Sequence, residues 1–277
     1  MKLLIAGGDM RYAYAACLAA RRGLNVESIG LENSGLPVPR GSLDAVSRAD
    51  AVLMPNPWRA AFPVTYAAQP VQPSEIIARL GAQTALILPD VIGMPPDFPR
   101  RIVNLSQDEG YLLRNARLTA EGAIHAAMSS VPFALEGAEA LVIGYGRIAR
   151  RLTALLLALG CPVTVAARRE EALRLAASEG AASCPLDHLP GVIGRFRLIF
   201  STPPAAVLDD RLLQGVSRET LLMDLASPPF GFSLTRALEL GRHAARENNL
   251  PGRYCPESAG AILLDALLAA VEKGGFS

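Results

Sequence analysis

Apolar residues in this chain fall in short unbroken runs, and each run is followed by a stretch with helical spacing. Leu3-Leu4-Ile5-Ala6 stops at Gly7-Gly8-Asp9, and an alanine-rich helical pattern over 12–22 ends at Gly23. The unit then recurs. Strands are predicted at 2–6, 25–30, 51–54, 85–88 and, weakly, 102–104, with a short helix at 43–49 and another running to Leu80 from a Ser74 cap. The segment 35–41 is rich in proline and glycine and reads as loop. The strand runs are apolar throughout rather than alternating, as in a parallel sheet covered by helices on both faces. A linker helix is predicted over 119–128, with Leu118 and Thr119 near its cap. A second series of strands follows at 140–143, 162–167, 198–201 and 221–224, with a weaker one at 243–246. The last helix, 258–273, carries Ile262, Leu263, Ala266, Leu267, Ala270 and Val271 on one stripe.

The pattern therefore predicts two doubly wound, parallel-sheet α/β domains. Residues 1–118 form a flavodoxin-like substrate domain, on which the C-terminal helix 258–273 is a candidate to pack. Residues 119–277 comprise the linker helix and a Rossmann NAD(P)-binding domain. The second assignment rests on Gly144-Tyr145-Gly146-Arg147-Ile148-Ala149, which sits between the run 140–143 and an amphipathic helix. In that βαβ context Gly144 permits the tight turn, Gly146 lets backbone approach a pyrophosphate, and Ala149 keeps helix and sheet close. The helix-start N–H groups, at Arg147 and Ile148, then face the phosphates.

The next strand bears on cofactor choice. NAD sites commonly place Asp or Glu about 20 residues after the glycines, to hold the ribose 2′-hydroxyl. Here the strand ends in Ala167-Arg168-Arg169. Two guanidiniums suit a 2′-phosphate, so NADP is expected, with NAD the alternative. Glu170 and Glu171 come later and open the next helix, where carboxylates suit the dipole.

Composition narrows the picture. The 277 residues are 51% hydrophobic and only 5% aromatic, with 24 Gly and 21 Pro, which fits two compact α/β domains with many turns. A formal net charge of +1 gives no sign of nucleic acid or an anionic membrane as a main partner. Cys17, Cys161, Cys184 and Cys255 are dispersed, and with three histidines no metal site is expected. Dispersed cysteines fit a reducing cytoplasm, the opening apolar run is too short for a signal peptide, and no segment reads as a membrane span.

Several polar groups fall at strand ends, where ligands of open parallel sheets bind. Ser201-Thr202-Pro203 either passes a nicotinamide ribose or forms an ordinary turn. Asp224-Leu225-Ala226-Ser227 either frames the nicotinamide amide, through Asp224, Ala226 and Ser227, or caps a helix. Asp9 and Arg11 could orient a polar substrate or form a surface ion pair. Glu121 and His125 lie at i,i+4 on the linker helix and could act as an acid/base pair, although a helical histidine is more often partly buried. Arg253 is a candidate for a substrate carboxylate or a solvated arginine.

Taken together, the motifs resemble those of dipicolinate synthase, in its A-type subunit. They are Gly7-Gly8-Asp9-x-Arg11, Asn115-Ala116-x-x-Thr119-Ala120-Glu121-Gly122-Ala123-Ile124, Gly144-x-Gly146-Arg147, Asp224-Leu225-Ala226-Ser227 and Leu250-Pro251-Gly252-x-x-x-Pro256-x-Ser258-Ala259-Gly260. They occur in the same order over nearly the whole chain, and the linker and Leu-Pro-Gly…Ala-Gly motifs are the specific ones. The resemblance implies oxidation of a dihydrodipicolinate-type heterocycle to pyridine-2,6-dicarboxylate in the mother cell of a sporulating bacterium. It also implies a nicotinamide cofactor, a second, flavoprotein-like subunit of dipicolinate synthase and a homo-oligomeric assembly. A dicarboxylate calls for Arg11, Asn115, Thr119, Arg253 and Ser258 as binding groups, with Glu121 and Asp9 as the candidate catalytic carboxylates. Tyr12, His125 and Glu257 depart from the family pattern, and an acid at 257 is poor company for a dianion.

Two other readings are open. A D-2-hydroxyacid or alanine-dehydrogenase-like enzyme would use a late histidine, but His243 has no evident Glu partner. A non-catalytic nicotinamide-binding sensor protein would keep the glycine loop without the polar clusters at Asp9/Arg11 and Thr119/Glu121.

Overall fold

The opening apolar run forms β1 (Leu3–Ala6), buried along its whole length. In the computed structural model, the structure describes residues 1–58, 66–68 and 71–273. The chain divides into two units, one of residues up to Asn115 together with those from Pro251 onward, the other Ala116–Leu250.

In the first unit β1 is followed by α1 (Met10–Arg21), β2 (Val26–Ile29), α2 (Ala45–Arg48) and β3 (Ala51–Leu53). Then come α3 (Pro73–Arg79), β4 (Ala85–Leu88) and β5 (Ile102–Asn104). Every pairing is parallel, in the order β2-β1-β3-β4-β5. This is the flavodoxin-like winding, with its switch point between β1 and β3. Alternate residues serve opposite faces. Leu3, Ile5, Leu53 and Ile87 join one core, while Leu4, Ala6, Val52 and Leu86 join the other.

The first of those cores is closed by the C-terminal helix α10 (Pro256–Lys273), whose Leu263, Leu264 and Leu267 pack in it with Tyr12 and Ala16 of α1. The approach is backbone to backbone. A Cβ on Gly260 would lie 2.6 Å from the Arg11 carbonyl oxygen and 2.7 Å from Tyr14 Cβ. The segment from Pro251 thus belongs with the first sheet rather than with residues 119–250.

Helix α4 (Glu109–Ser130) is much longer than the pattern over 119–128 predicts. Its start is fixed by Asp108, whose carboxylate accepts from the Tyr111 N–H at 3.0 Å. Asn115 and Thr119 are therefore interior helical residues, and the unit division falls inside this helix. The predicted Ser74 cap is also displaced. Gln72 is the N-cap of α3, in a reciprocal capping box with Glu75, and Pro73 opens the helix.

The second unit continues with β6 (Ala140–Ile143), α5 (Arg147–Ala158), β7 (Val163–Ala167), α6 (Glu170–Ser178) and β8 (Ala182–Pro185). It ends with β9 (Leu198–Ser201), α7 (Asp210–Gly215), β10 (Leu221–Asp224), α8 (Leu234–Glu239), β11 (His243–Arg246) and the start of α9 (Leu250–Tyr254). The sheet is all parallel, ordered β11-β10-β9-β6-β7-β8. That is the Rossmann winding, reversing between β6 and β9. Strand β8 escaped the sequence pattern because it is a short edge strand with three of its four residues exposed.

Candidate functional site

The C-terminal edge of β6 builds the glycine loop. Gly144 takes φ +85°, and a Cβ there would stand 2.8 Å from Thr202 Oγ1 and 3.1 Å from Pro203 Cγ. Only glycine meets both demands. Gly146 is the N-cap of α5, offers no side chain to that helix, and has open space where a Cβ would be. The first-turn amides of α5, at Arg147 and Ile148, point out of the helix N-terminus, an arrangement suited to an anion.

Beside this loop lies a cavity of about 410 Å³. Gly144, Tyr145 and Gly146 line one side, Arg168 and Arg169 another, with Leu186, Pro203 and Val207 among the apolar wall. Both arginines are exposed, and among the described residues neither forms an ion pair. Arg169 is the N-cap of α6, so Glu170 and Glu171 belong to the first turn, as the charge pattern predicts. The donor set suits an adenosine diphosphate moiety: helix amides for the pyrophosphate, an apolar wall for a base, and guanidiniums at the rim for anionic groups.

Tyr145 is fixed from outside the cavity. Its hydroxyl donates to Glu179 Oε2 at 2.6 Å, and Glu179 also accepts from Arg150. Burial and then the bond to Glu179 push the Tyr145 phenol up, while Tyr145 and Arg150 hold the Glu179 carboxyl below the usual range.

At the neighbouring strand ends the structure redistributes the sequence-predicted roles. Ser201 is fully buried, its hydroxyl without a hydrogen-bond partner among the described residues and packed against Gly231, where a Cβ would come within 1.9 Å of it. Thr202 Oγ1 donates to the Ile143 carbonyl at 2.8 Å. Of that trio, Pro203 is the residue lining the cavity. Asp224 is fully buried, and its carboxylate accepts from Ala226 N, Gly231 N and Arg246 Nε. It holds its loop rather than a ligand. Ala226 is also buried, whereas Ser227 is exposed. Arg246 and Gly231 are the participants that sequence reasoning missed, because each acts on a partner distant along the chain.

In the first unit, Asp9 is the N-cap of α1 and accepts from the Arg11 N–H. The Arg11 guanidinium grips the same carboxylate through Nε at 2.9 Å and Nη2 at 2.7 Å. The pair is therefore self-neutralised and half-buried, not a bare cation waiting for a dianion. Tyr12 lies beneath Gly8 and, with Tyr111, is buried next to this pair; burial raises both phenols. Asn56, past β3, donates to Asp90, past β4, at 2.7 Å. Asp9 and Asn56 thus sit beyond the carboxyl ends of β1 and β3, which flank the switch point, and Asp90 beyond that of the next strand, β4.

The remaining candidates lie on helices. Thr119 sits deep within α4 rather than near its cap, so its backbone N–H is not at a helix N-terminus. Glu121 and His125 are exposed on the same helix. Arg253 donates to the Tyr254 hydroxyl at 3.0 Å. Ser258 and Glu257 are exposed in the first turn of α10, where an acid suits the helix dipole. Among the described residues no helix is long and apolar enough to cross a membrane, and no cluster could hold a metal ion.

The chain is 30% identical over 168 residues to the A-type subunit of dipicolinate synthase of Bacillus subtilis (strain 168), a match covering 61% of this chain and 57% of that relative. In three dimensions it superposes on the corresponding dipicolinate synthase subunit from Bacillus halodurans with a TM-score of 0.85 and 24% identity, over 97% of this chain and 96% of that one. The chain resembles the A-type subunit of dipicolinate synthase. The sequence match spans little more than half of the curated relative's length. The fold is also that of D-lactate dehydrogenase from Escherichia coli, at a TM-score of 0.62 and 13% identity, covering 99% and 98% of the two chains. No family model matches the sequence.

Proposed function

We propose that the protein is a nicotinamide-dependent oxidoreductase subunit that forms pyridine-2,6-dicarboxylate from a dihydrodipicolinate-type precursor during sporulation. The observation that carries the reading is the glycine loop with its two-arginine cavity, in a chain whose sequence resembles a dipicolinate synthase subunit. Arg168 and Arg169 favour NADP over NAD, because they occupy the place of the ribose-binding acid. When bound, the nicotinamide ring supplies a hydride acceptor.

The substrate loses a hydride and a proton, and aromatisation drives both losses. The protein's task is then mainly positioning. Arg253, Ser258, Asn115 and Thr119 are the proposed groups for the carboxylates. Arg11, clamped by Asp9, contributes oriented N–H donors with little net charge. Glu121 is the proposed proton acceptor, with Asp9 in the orienting role its ion pair gives it. The second, flavoprotein-like subunit of dipicolinate synthase and self-association are part of the proposal.

The test is turnover with NADP of 4-hydroxytetrahydrodipicolinate, which reaches the dihydrodipicolinate by loss of water before the hydride and proton leave, followed by the ultraviolet absorbance of the pyridine product, with and without the flavoprotein-like subunit. No pyridine product under any condition would reject the assignment.

A further inference from the structure

Across the carboxyl ends of β9, β10 and β11, Ser201, Asp224 and Arg246 stand in one register row. Arg246 is the hub. Its Nε donates to the buried Asp224 Oδ2 at 3.2 Å, and its Nη2 donates to the Phe232 carbonyl at 2.8 Å. The guanidinium carbon lies 3.6 Å from the centre of the Phe230 ring. Phe230 holds φ +70°, a left-handed conformation that a large L side chain rarely adopts. Asp224 in turn accepts from Ala226 N at 3.1 Å and Gly231 N at 3.2 Å. The Gly231 carbonyl accepts from Val207 N at 2.9 Å and Leu208 N at 3.1 Å, which ties the loop after β10 to the loop after β9. One guanidinium thus organises both loops on this half of the sheet.

A Rossmann sheet binds one mononucleotide on each half. The glycine loop, Arg168 and Arg169 side of the cavity lies over the β6–β7 half, and Pro203, Ala205 and Val207 of the loop after β9 form its opposite wall. The loops held by Arg246 crown the other half. We infer that Arg246, through Asp224 and the strained Phe230, is a positioning residue that shapes the subsite for the non-adenosine half of the dinucleotide. Backbone held in a costly conformation by a buried ion pair and a stacked ring is expected where a loop must be pre-formed for a ligand. The inference rests on reading the second unit as a nicotinamide-dinucleotide domain. It assigns to the far mononucleotide two residues that lie outside the glycine motif.

The experiment compares whole and half ligands on the full chain. Wild type, Arg246→Met and Phe230→Gly are titrated with NADPH and with adenosine 2′,5′-bisphosphate, and in parallel with NADH and ADP. Phe230→Gly removes the ring and suits the positive φ, so it folds even where Arg246→Met, which leaves Asp224 buried without its cation, does not. The expected result is about tenfold or greater weakening of the whole dinucleotide in the variants, as for loss of a charged anchor. Binding of the matching half ligand should fall clearly less, by at most a few-fold: Arg168, Arg169 and the glycine loop do not depend on these residues, and of its apolar wall Val207 is tied to them through the Gly231 carbonyl. Parallel weakening of both ligands would mean that Arg246 only stabilises the domain, and unchanged dinucleotide affinity in Phe230→Gly would mean the loop does not touch the ligand. Either result overturns the inference while leaving the cofactor reading intact. If wild type binds none of the four ligands, the cofactor reading itself fails.

Discussion

Arg168 and Arg169 are the residues on which the proposed NADP preference rests. Both line the cavity and neither is committed to an ion pair among the described residues. Their charge is therefore available for a 2′-phosphate. Arg168→Ala is expected to cost NADPH binding about 1.5–3 kcal/mol and to leave NADH nearly unchanged. Paired fluorescence titrations check this, and equal affinities of the parent protein for the two cofactors would count against the NADP preference. Gly144 gives a second expectation. Alanine there meets both φ +85° and a 2.8 Å approach to Thr202 Oγ1. Gly144→Ala should lose about 1–3 kcal/mol of stability and most dinucleotide affinity, seen in thermal melts and titration together. The glycine loop was legible in the sequence because its meaning is local: a strand, a turn and a helix start within a few residues. The two readings left open for Asp224 and Ser201 could not be narrowed from sequence, because strand register brings Arg246 to Asp224 and the fold of the loop after β10 brings Gly231 to both. Thr119 was misplaced for a related reason. The true cap, Asp108, has Gly110 two residues on, which masks a helix start that a hydrogen bond nevertheless fixes.

Among elements, the clasp of Tyr145, Glu179 and Arg150 joins the glycine loop, α5 and the end of α6. Glu179 has its carboxyl held low by Tyr145 first and Arg150 second. A carboxyl depressed in the folded state contributes stability above its unfolded pKa and loses it as pH falls through the folded value. Wild type should therefore melt higher than Glu179→Gln at neutral pH, with the difference shrinking in acid. Because Glu179 is partly exposed, the effect should be small and weaker in high salt. Melting curves from about pH 7 down to about pH 3 follow it. An unchanging difference would mean that the clasp is not ionic. Helices α1 and α10 give a larger effect. At Gly260 they touch with no room for a methyl group, so Gly260→Ala should destabilise the first unit by about 1–3 kcal/mol or more. Thermal or urea unfolding reads this directly.

For the whole molecule, the two windings, β2-β1-β3-β4-β5 and β11-β10-β9-β6-β7-β8, follow from repeated unbroken apolar strands, and the sequence reading anticipates two parallel sheets. Among the strands of the described residues, the exposed edge strand β8 alone escaped it. The chemistry is tested at this scale too. Glu121→Gln should lower turnover about a hundredfold, within the usual range for general acid–base catalysis, while NADPH binding persists. Single-turnover formation of the pyridine product measures it, and full activity would remove Glu121 from the reaction.

The pairing of α10 with α1 also sets an order of events during synthesis. The first sheet and α1 emerge from the ribosome early, yet the helix that covers their core is made only after all of 116–250 has been translated. Until then the nascent first unit carries an uncovered apolar face formed by Tyr12, Ala16 and Ala19. The second unit is continuous in the chain and needs no such wait. It is thus free to complete itself first, shortening the loop that α1 and α10 must close. A nascent chain stalled before Pro256 should bind hydrophobic chaperones through its first unit while its second is already resistant to proteases.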